Sequence, residues 1–313
     1  MGRAATVVLV TWNSAAYLPR CLDGIAQQTH PDIEVVHVDN NSHDGSVAIV
    51  RATIPQATQI LNATNRGFAA AVNQGVKLAK GDVIFLLNPD AYLERDYVAK
   101  IVAALRDDYG MATGKLVRAR GFNIEPTKEI DSMGIRMTRS GRHLDITHGE
   151  SPREPFGVSG AAAAYTRAFI DDVSIDGEFL DEDFFAYRED ADVAWRGRLF
   201  GWRAVYVPDA VAHHVRQVTP ERRRALPANL NMHSVKNRFL LRLKNEGWYL
   251  ALRNAPFELV RDAMVIGAAL TIERTSLPAF GWLWRNRARV IAKRRAIQRK
   301  RRVSDRRLAE WFR

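Results

Sequence analysis

Residues 81–90, Gly-Asp-Val-Ile-Phe-Leu-Leu-Asn-Pro-Asp, constrain what this chain can fold into more than any other stretch. Five uncharged apolar residues, 83–87, lie between Asp82 and Asn88-Pro89, which suits a strand buried on both faces of a parallel sheet. Pro89 has no N–H to continue a ladder, so the strand ends there and Asp90 sits at its carboxyl end. Open α/β sheets bind ligands at that edge.

The run is one of a series. Strand-like residues 6–10, 33–38, 59–61 and 83–87 alternate with helix-like residues 17–28, 45–51, 68–78 and 94–105. This alternation predicts βαβ units with right-handed crossovers: an α/β fold with a mainly parallel sheet and helices on both faces. Residues 118–154 loosen into Gly, Pro, Arg and Thr, as a hairpin insert or a mobile loop over the sheet edge would. Order returns at residue 156, and an acidic, aromatic segment, 181–187, precedes a helical stretch, 189–200.

With 313 residues, 47% of them hydrophobic, the chain has material for one large or two ordinary domains. Charge divides it. Residues 221–313 hold 23 Lys and Arg against 7 Asp and Glu, whereas the preceding residues hold 23 against 28. We therefore expect a domain over 1–220 and a basic, mainly helical region over 221–313, doing different work. In the latter, Val235, Phe239, Leu243 and Leu250 keep helical spacing. The apolar stretches 263–272 and 275–284 are too short to span a bilayer, but with Trp282 and Trp284 beside Arg285, Arg287 and Arg289 they suit a helix in a membrane interface. The one cysteine, Cys21, excludes an internal disulfide and falls in an amphipathic stretch, so we read it as core.

Four polar loops could carry chemistry. Asp39, just beyond a buried strand, is placed either to accept hydrogen bonds from a nucleotide or to close a turn. Asp44 reads as a helix cap, with Ser46 in the first turn. Asn65-Arg66-Gly67 precedes a helix whose free N–H groups could face an anion such as a diphosphate, with Gly67 permitting close approach. Asp90 could share a divalent ion with phosphate oxygens or cap the next helix. In Glu189-Asp190-Ala191-Asp192, adjacent carboxylates can leave one raised in pKa as a base, although an acidic first turn is also favoured by the helix dipole. Asp192 and Arg196, four apart, should pair on the helix surface. His213-His214 follows a strand-like run and offers a metal ligand or a structural hydrogen bonder.

In order and spacing, residues 7–25, 35–46, 65–75, 85–91, 156–169, 179–202 and 205–215 together resemble a family 2 glycosyltransferase of the GT-A fold, most closely its rhamnosyltransferase-type members. The resemblance covers residues 6–216. It implies a Rossmann-like nucleotide-diphospho-sugar transferase domain that moves a sugar to an acceptor hydroxyl with inversion. By the same match, Thr11, Asn13 and Asp39 would hold the nucleotide, and Asn65, Arg66, Gly67, Asn73 and Asn88 would line the donor side. Asp90 would bind Mg²⁺ or Mn²⁺ under the diphosphate, with His214 beside it. Asp190 would be the catalytic base with Glu189 as its fallback, and Gly160 and Ala161 would frame sugar and acceptor. Asn88 stands where many relatives carry an aspartate.

The resemblance further implies a nucleotide-diphosphate sugar donor, with dTDP-rhamnose one candidate, and a glycan or lipid-linked glycan acceptor of the cell envelope. A cytoplasmic location, peripheral on the inner face of the cell membrane, follows from the basic tail, which fits an anionic membrane surface and could also pair in a homodimer. Rival readings fare worse. A dinucleotide-dependent oxidoreductase needs a glycine-rich turn after the first strand, where this chain has Thr11-Trp12-Asn13-Ser14. Nucleic-acid binding would rest on the Arg222–Arg224 and 293–302 runs, which lie beside tryptophans and short apolar stretches, so no nucleic-acid partner is expected. An inactive sugar-nucleotide-binding or scaffold relative is disfavoured by the intact Asp39, Asp90 and Asp190.

Overall fold

The computed structural model describes residues 3–106, 108–149, 152–216 and 228–313. The boundary expected at 220/221 and the Arg222–Arg224 run lie outside them. The first half alternates as anticipated: β1 (Ala5–Thr11), α1 (Leu18–Ala26), β2 (Ile33–Asp39), α2 (Ser46–Thr53), β3 (Thr58–Leu61), α3 (Phe68–Leu78), β4 (Val83–Leu87), β5 (Ala91–Leu93) and α4 (Tyr97–Ala104). Then come β6 (Tyr109–Arg120), β7 (Glu125–Ser132), β8 (Ile135–Met137), β9 (His143–Asp145), β10 (Ala162–Thr166), α5 (Arg167–Val173), α6 (Glu189–Leu199) and β11 (Arg203–His214). The C-terminal helices are α7 (Ala228–Asn245), α8 (Trp248–Thr271), α9 (Pro278–Arg285), α10 (Arg287–Lys300) and α11 (Asp305–Leu308).

Among the described residues nine strands form one mixed sheet in the order β3-β2-β1-β4-β10-β6-β11-β5, with β7 on β6. The first four are parallel, and β10 then inserts antiparallel to β4 with Ala162 opposite Leu87. That reversal sets the amino end of β10 against the carboxyl end of β4, so Gly160 and Ala161 meet Asn88. The Asn88 N–H donates to the Ala161 carbonyl at 3.0 Å. The loose stretch after residue 118 resolves into the β6–β7 hairpin and the small β8–β9 ribbon beneath the site.

Strand residues alternate between two apolar layers. Val7, Leu9, Val35, Phe85 and Leu87 pack with α1, α2 and α4, and buried Cys21 belongs to this layer. Val8, Val10, Val36, Ile84 and Leu86 pack on the other face with α3, α5 and α6. Leu240, Leu241, Leu250, Val290, Ile297, Leu308 and Phe312 of the C-terminal helices join this second layer, so the tail shares a core with the sheet.

Candidate active site

The ends of β1 and β2 are tied together by side chains. The Thr11 hydroxyl donates to Asp39 Oδ1 at 2.7 Å, and Asp39 Oδ2 accepts the Ser42 N–H at 2.8 Å. Asn13, in the left-handed region at φ 50°, accepts the His43 N–H through its side-chain oxygen. Asn40 extends the network: its Nδ2 donates to the Gly67 carbonyl and its Oδ1 accepts the Arg66 N–H. Asn65 Oδ1 accepts the Gly67 N–H at 2.9 Å, which shapes the turn entering α3. Gly67 has φ 86°, and a Cβ there would lie 2.5 Å from the Phe185 ring. Arg66 is exposed at this turn. Asp44 accepts the Ser46 N–H and hydroxyl, so it caps α2 as anticipated, although Gly45 holds the capping backbone position.

Asn73 departs from the donor-lining role expected of it. Its amide bonds both backbone groups of Leu180 and also donates to Glu182, so the side chain is spent on holding the 180–182 segment against α3.

Asp90 is buried where the β4 turn meets β11. His214 Nε2 lies 3.5 Å from Asp90 Oδ1, and His214 Nδ1 lies 2.8 Å from Asp131 Oδ2. Burial opposes charge on this imidazole, but the Asp131 and Asp90 carboxylates outweigh it and lift the pKa to about 9. His213 faces away, 2.7 Å from Glu94 and stacked on Tyr92. Among the described residues no group of three or more His, Cys, Asp or Glu side chains forms a metal cage. A two-ligand set still fits a divalent ion, which would displace the Nε2 proton, because diphosphate oxygens and water can complete its shell and Asp131 fixes the far side of the imidazole. Asp131 escaped the sequence reading; it lies in the weakly alternating 130–137 stretch, and only the β6–β7 pairing brings it under His214.

Asp190 opens α6 and is half-buried. The Gly160 N–H donates to its Oδ2 at 3.3 Å and the Ala191 N–H to its Oδ1 at 2.7 Å. Burial and the charge of Asp145 raise its pKa to about 6 against these bonds. Glu189 is more deeply buried, and burial with the neighbouring Asp190 charge pushes it to about 8. Its Oε2 has no hydrogen-bond partner among the described residues, as a carboxyl kept neutral would tolerate. The expected surface pair Asp192–Arg196 forms at 2.9 Å but is fully buried. Arg196 also donates to the Val173 and Phe179 carbonyls, and Asp192 meets Lys244 and Asn245 of α7, so the pair anchors α6 inside the protein.

The loop before α6 is strained: Phe185, Tyr187 and Arg188 have φ of 65°, 70° and 72°. Helix α7 holds it there. Asn237 Nδ2 donates to the Phe184, Ala186 and Tyr187 carbonyls, Lys236 Nζ donates to the Asp183 carbonyl, and His233 stacks on Phe185 at 4.6 Å. Nothing in the helical periodicity of α7 marked Asn237.

A family model for glycosyl transferase family 2 matches residues 6–173. The chain belongs to that family. Over 275 residues, 78% of this family 2 chain and 86% of the relative, it is 26% identical to an N-acetylglucosaminyl-diphospho-decaprenol L-rhamnosyltransferase of Mycobacterium tuberculosis. Over 102 residues it is 38% identical to a PGL/p-HBAD biosynthesis glycosyltransferase of the same species, a match spanning 31% of this chain and 40% of that relative. Among solved structures it resembles GalNAc-T7 with UDP, GalNAc and Mn²⁺ (TM-score 0.61, 16% identity, 78% of this chain, 49% of the other). It also resembles a mannosyltransferase of Pyrobaculum calidifontis with GDP-Man and Mn²⁺ (TM-score 0.57, 22% identity, 95% of this chain, 85% of the other). These likenesses establish the GT-A fold.

Proposed function

We propose that this chain transfers a sugar from a nucleoside diphosphate donor to a hydroxyl of a glycan or lipid-linked glycan, inverting the anomeric centre, at the cytoplasmic face of a cell membrane. The observation that carries the reading is Asp190, a half-buried carboxylate with raised proton affinity at the same sheet edge as Asp39 and Asp90. A sugar hydroxyl is a poor nucleophile, so a positioned base must take its proton as attack on the anomeric carbon begins. Asp190 takes that role, and the Gly160 N–H that fixes its Oδ2 leaves Gly160 and Ala161 framing the reacting sugar.

On the donor side, Thr11, Asn13 and Asp39 present polar groups to the nucleotide. Asn65, Arg66 and Gly67 shape the turn facing the diphosphate, and Asn88 adds an amide beside Asp90. Asp90 and His214 would hold a divalent ion, Mg²⁺ or Mn²⁺, which would neutralise charge gathering on the departing diphosphate. Likeness to the mycobacterial L-rhamnosyltransferase over most of both chains supports L-rhamnose as the sugar, with dTDP taken as its carrier.

A thermal-shift panel of UDP, dTDP and GDP, each with and without Mg²⁺ or Mn²⁺, tests the donor half. The expected result is metal-dependent stabilisation, greatest for dTDP; no stabilisation by any pair would sink it. For the chemical half, Asp190→Asn is expected to lower kcat by about 10²–10⁴-fold with the donor-induced shift retained. Unchanged turnover would remove Asp190 from the role of base.

A further inference from the structure

Helix α8 is amphipathic in the reverse of the usual sense. Its four charged residues, Arg253, Glu258, Arg261 and Asp262, are buried or partly buried; none is exposed. Glu258 and Asp262 both pair with Arg242 of α7, and Arg253 donates to the Ala309 and Phe312 carbonyls. The opposite face carries Trp248, Leu252, Leu259, Val260, Met264 and Leu270, with Leu252 69% and Leu259 68% exposed. At about 100° per residue these spread over about 160° of a helix about 36 Å long, an outward face whose one charged position, Arg253, is turned onto the Ala309 and Phe312 carbonyls. A soluble helix turns this stripe to the core. Here the core side is taken by ion pairs and no described residue covers the outward face, so it requires an apolar covering from elsewhere.

We propose that this outward face of α8 seats in the headgroup–acyl boundary of an anionic bilayer. This goes beyond the transfer chemistry and does not depend on it. Charge decides between lipid and a second copy. Just past the stripe come Arg274 and then, following exposed Trp284, Arg285 and Arg287; all three arginines are exposed and lack a carboxylate partner among the described residues. The 221–313 region carries the basic excess of the whole chain. Two such surfaces face to face would repel, whereas a layer of anionic headgroups attracts each cation by about 1 kcal/mol. Trp248 and Trp284 supply the amphipathic rings that favour the interface. Among the described residues no helix is long and apolar enough to cross a membrane, so α8 lies along the surface.

Sedimentation with vesicles of phosphatidylcholine containing about one third phosphatidylglycerol tests this, using the full chain. We expect binding that weakens at high salt and on pure phosphatidylcholine. The double substitution Leu259→Glu/Met264→Glu should weaken binding at least about tenfold while leaving the melting temperature and the nucleotide-induced shift intact. Leu61→Glu, an equally exposed leucine on β3, should change nothing. The proposal is overturned if the wild type does not bind these vesicles, or if the double variant binds as well as the wild type. It is also overturned if Leu61→Glu weakens binding as much, or if sedimentation without lipid shows a dimer that the double variant dissolves. Because the readout needs no turnover, an inactive but vesicle-bound protein would count against the catalytic reading alone.

Discussion

As the proposed base, Asp190 must be charged to accept a proton, yet it sits where burial and Asp145 both disfavour its charge. The base works only when deprotonated, so kcat/KM is expected to fall as pH drops through about 6. Asp145→Asn should move that acid limb to lower pH, which a pH–rate profile reads directly. Glu189 sets a second pH dependence, on stability. Its folded pKa, about 8, lies above its ordinary value near 4.5, so the folded state holds the extra proton between the two. Stability from this group is therefore full at low pH and is lost as pH rises through that window. Glu189→Gln should raise the melting temperature relative to wild type, most at pH 8 and least near pH 4. Gly67→Ala combines a left-handed φ with a contact on Phe185, and is expected to cost at least about 1 kcal/mol in a denaturant titration and to weaken nucleotide-induced stabilisation. At this scale the sequence was readable where a carboxylate or glycine followed a clear strand, as with Asp39, Gly67 and Asp90. Asp131 was not, because its partner His214 is 83 residues away and no local pattern links them.

At the scale of elements, the strained loop before α6 depends on α7 more than on itself. Three left-handed residues that are not glycine persist only where their surroundings fix them, and Asn237 supplies that through three carbonyls. Asn237→Ala should let the head of α6 shift, lowering kcat by up to about 10²-fold while the donor-induced thermal shift persists. If instead donor response and kcat fall together, Asn237 is a general structural residue. Parallel strands and their helices were legible because uninterrupted apolar runs such as 83–87 admit few other placements. The orientation of α8 was legible only in part: residues 263–272 suited a membrane interface, but periodicity assumes that charged side chains face solvent, and only the Arg242 pairs show Glu258 and Asp262 turned in. The same assumption placed Asp192–Arg196 on a surface, whereas α6 is wrapped on all sides.

For the molecule as a whole, the tail and the sheet are joined by charge as well as by a shared apolar layer. Lys293 lies within 2.7 Å of Asp181, 2.9 Å of Glu178 and 3.2 Å of Asp183, while Lys244 bonds Asp181 and meets Asp192. Composition showed a basic segment after an acidic one, and it was natural to give them separate tasks; the structure pairs part of that excess with buried acids. Lys293→Met leaves Asp181 and Asp183 short of a counter-charge, and is expected to cost about 3–5 kcal/mol in equilibrium unfolding. These pairings also set an order in time. Asp181 leaves the ribosome 63 residues ahead of Lys244 and 112 ahead of Lys293. At about 5–20 residues per second, the segment leading to α6 spends about 3–20 seconds without the cations that let it be buried. The nascent chain therefore completes this candidate site only after its C-terminal helices have emerged, and until then relies on whatever shields unfinished chains from one another.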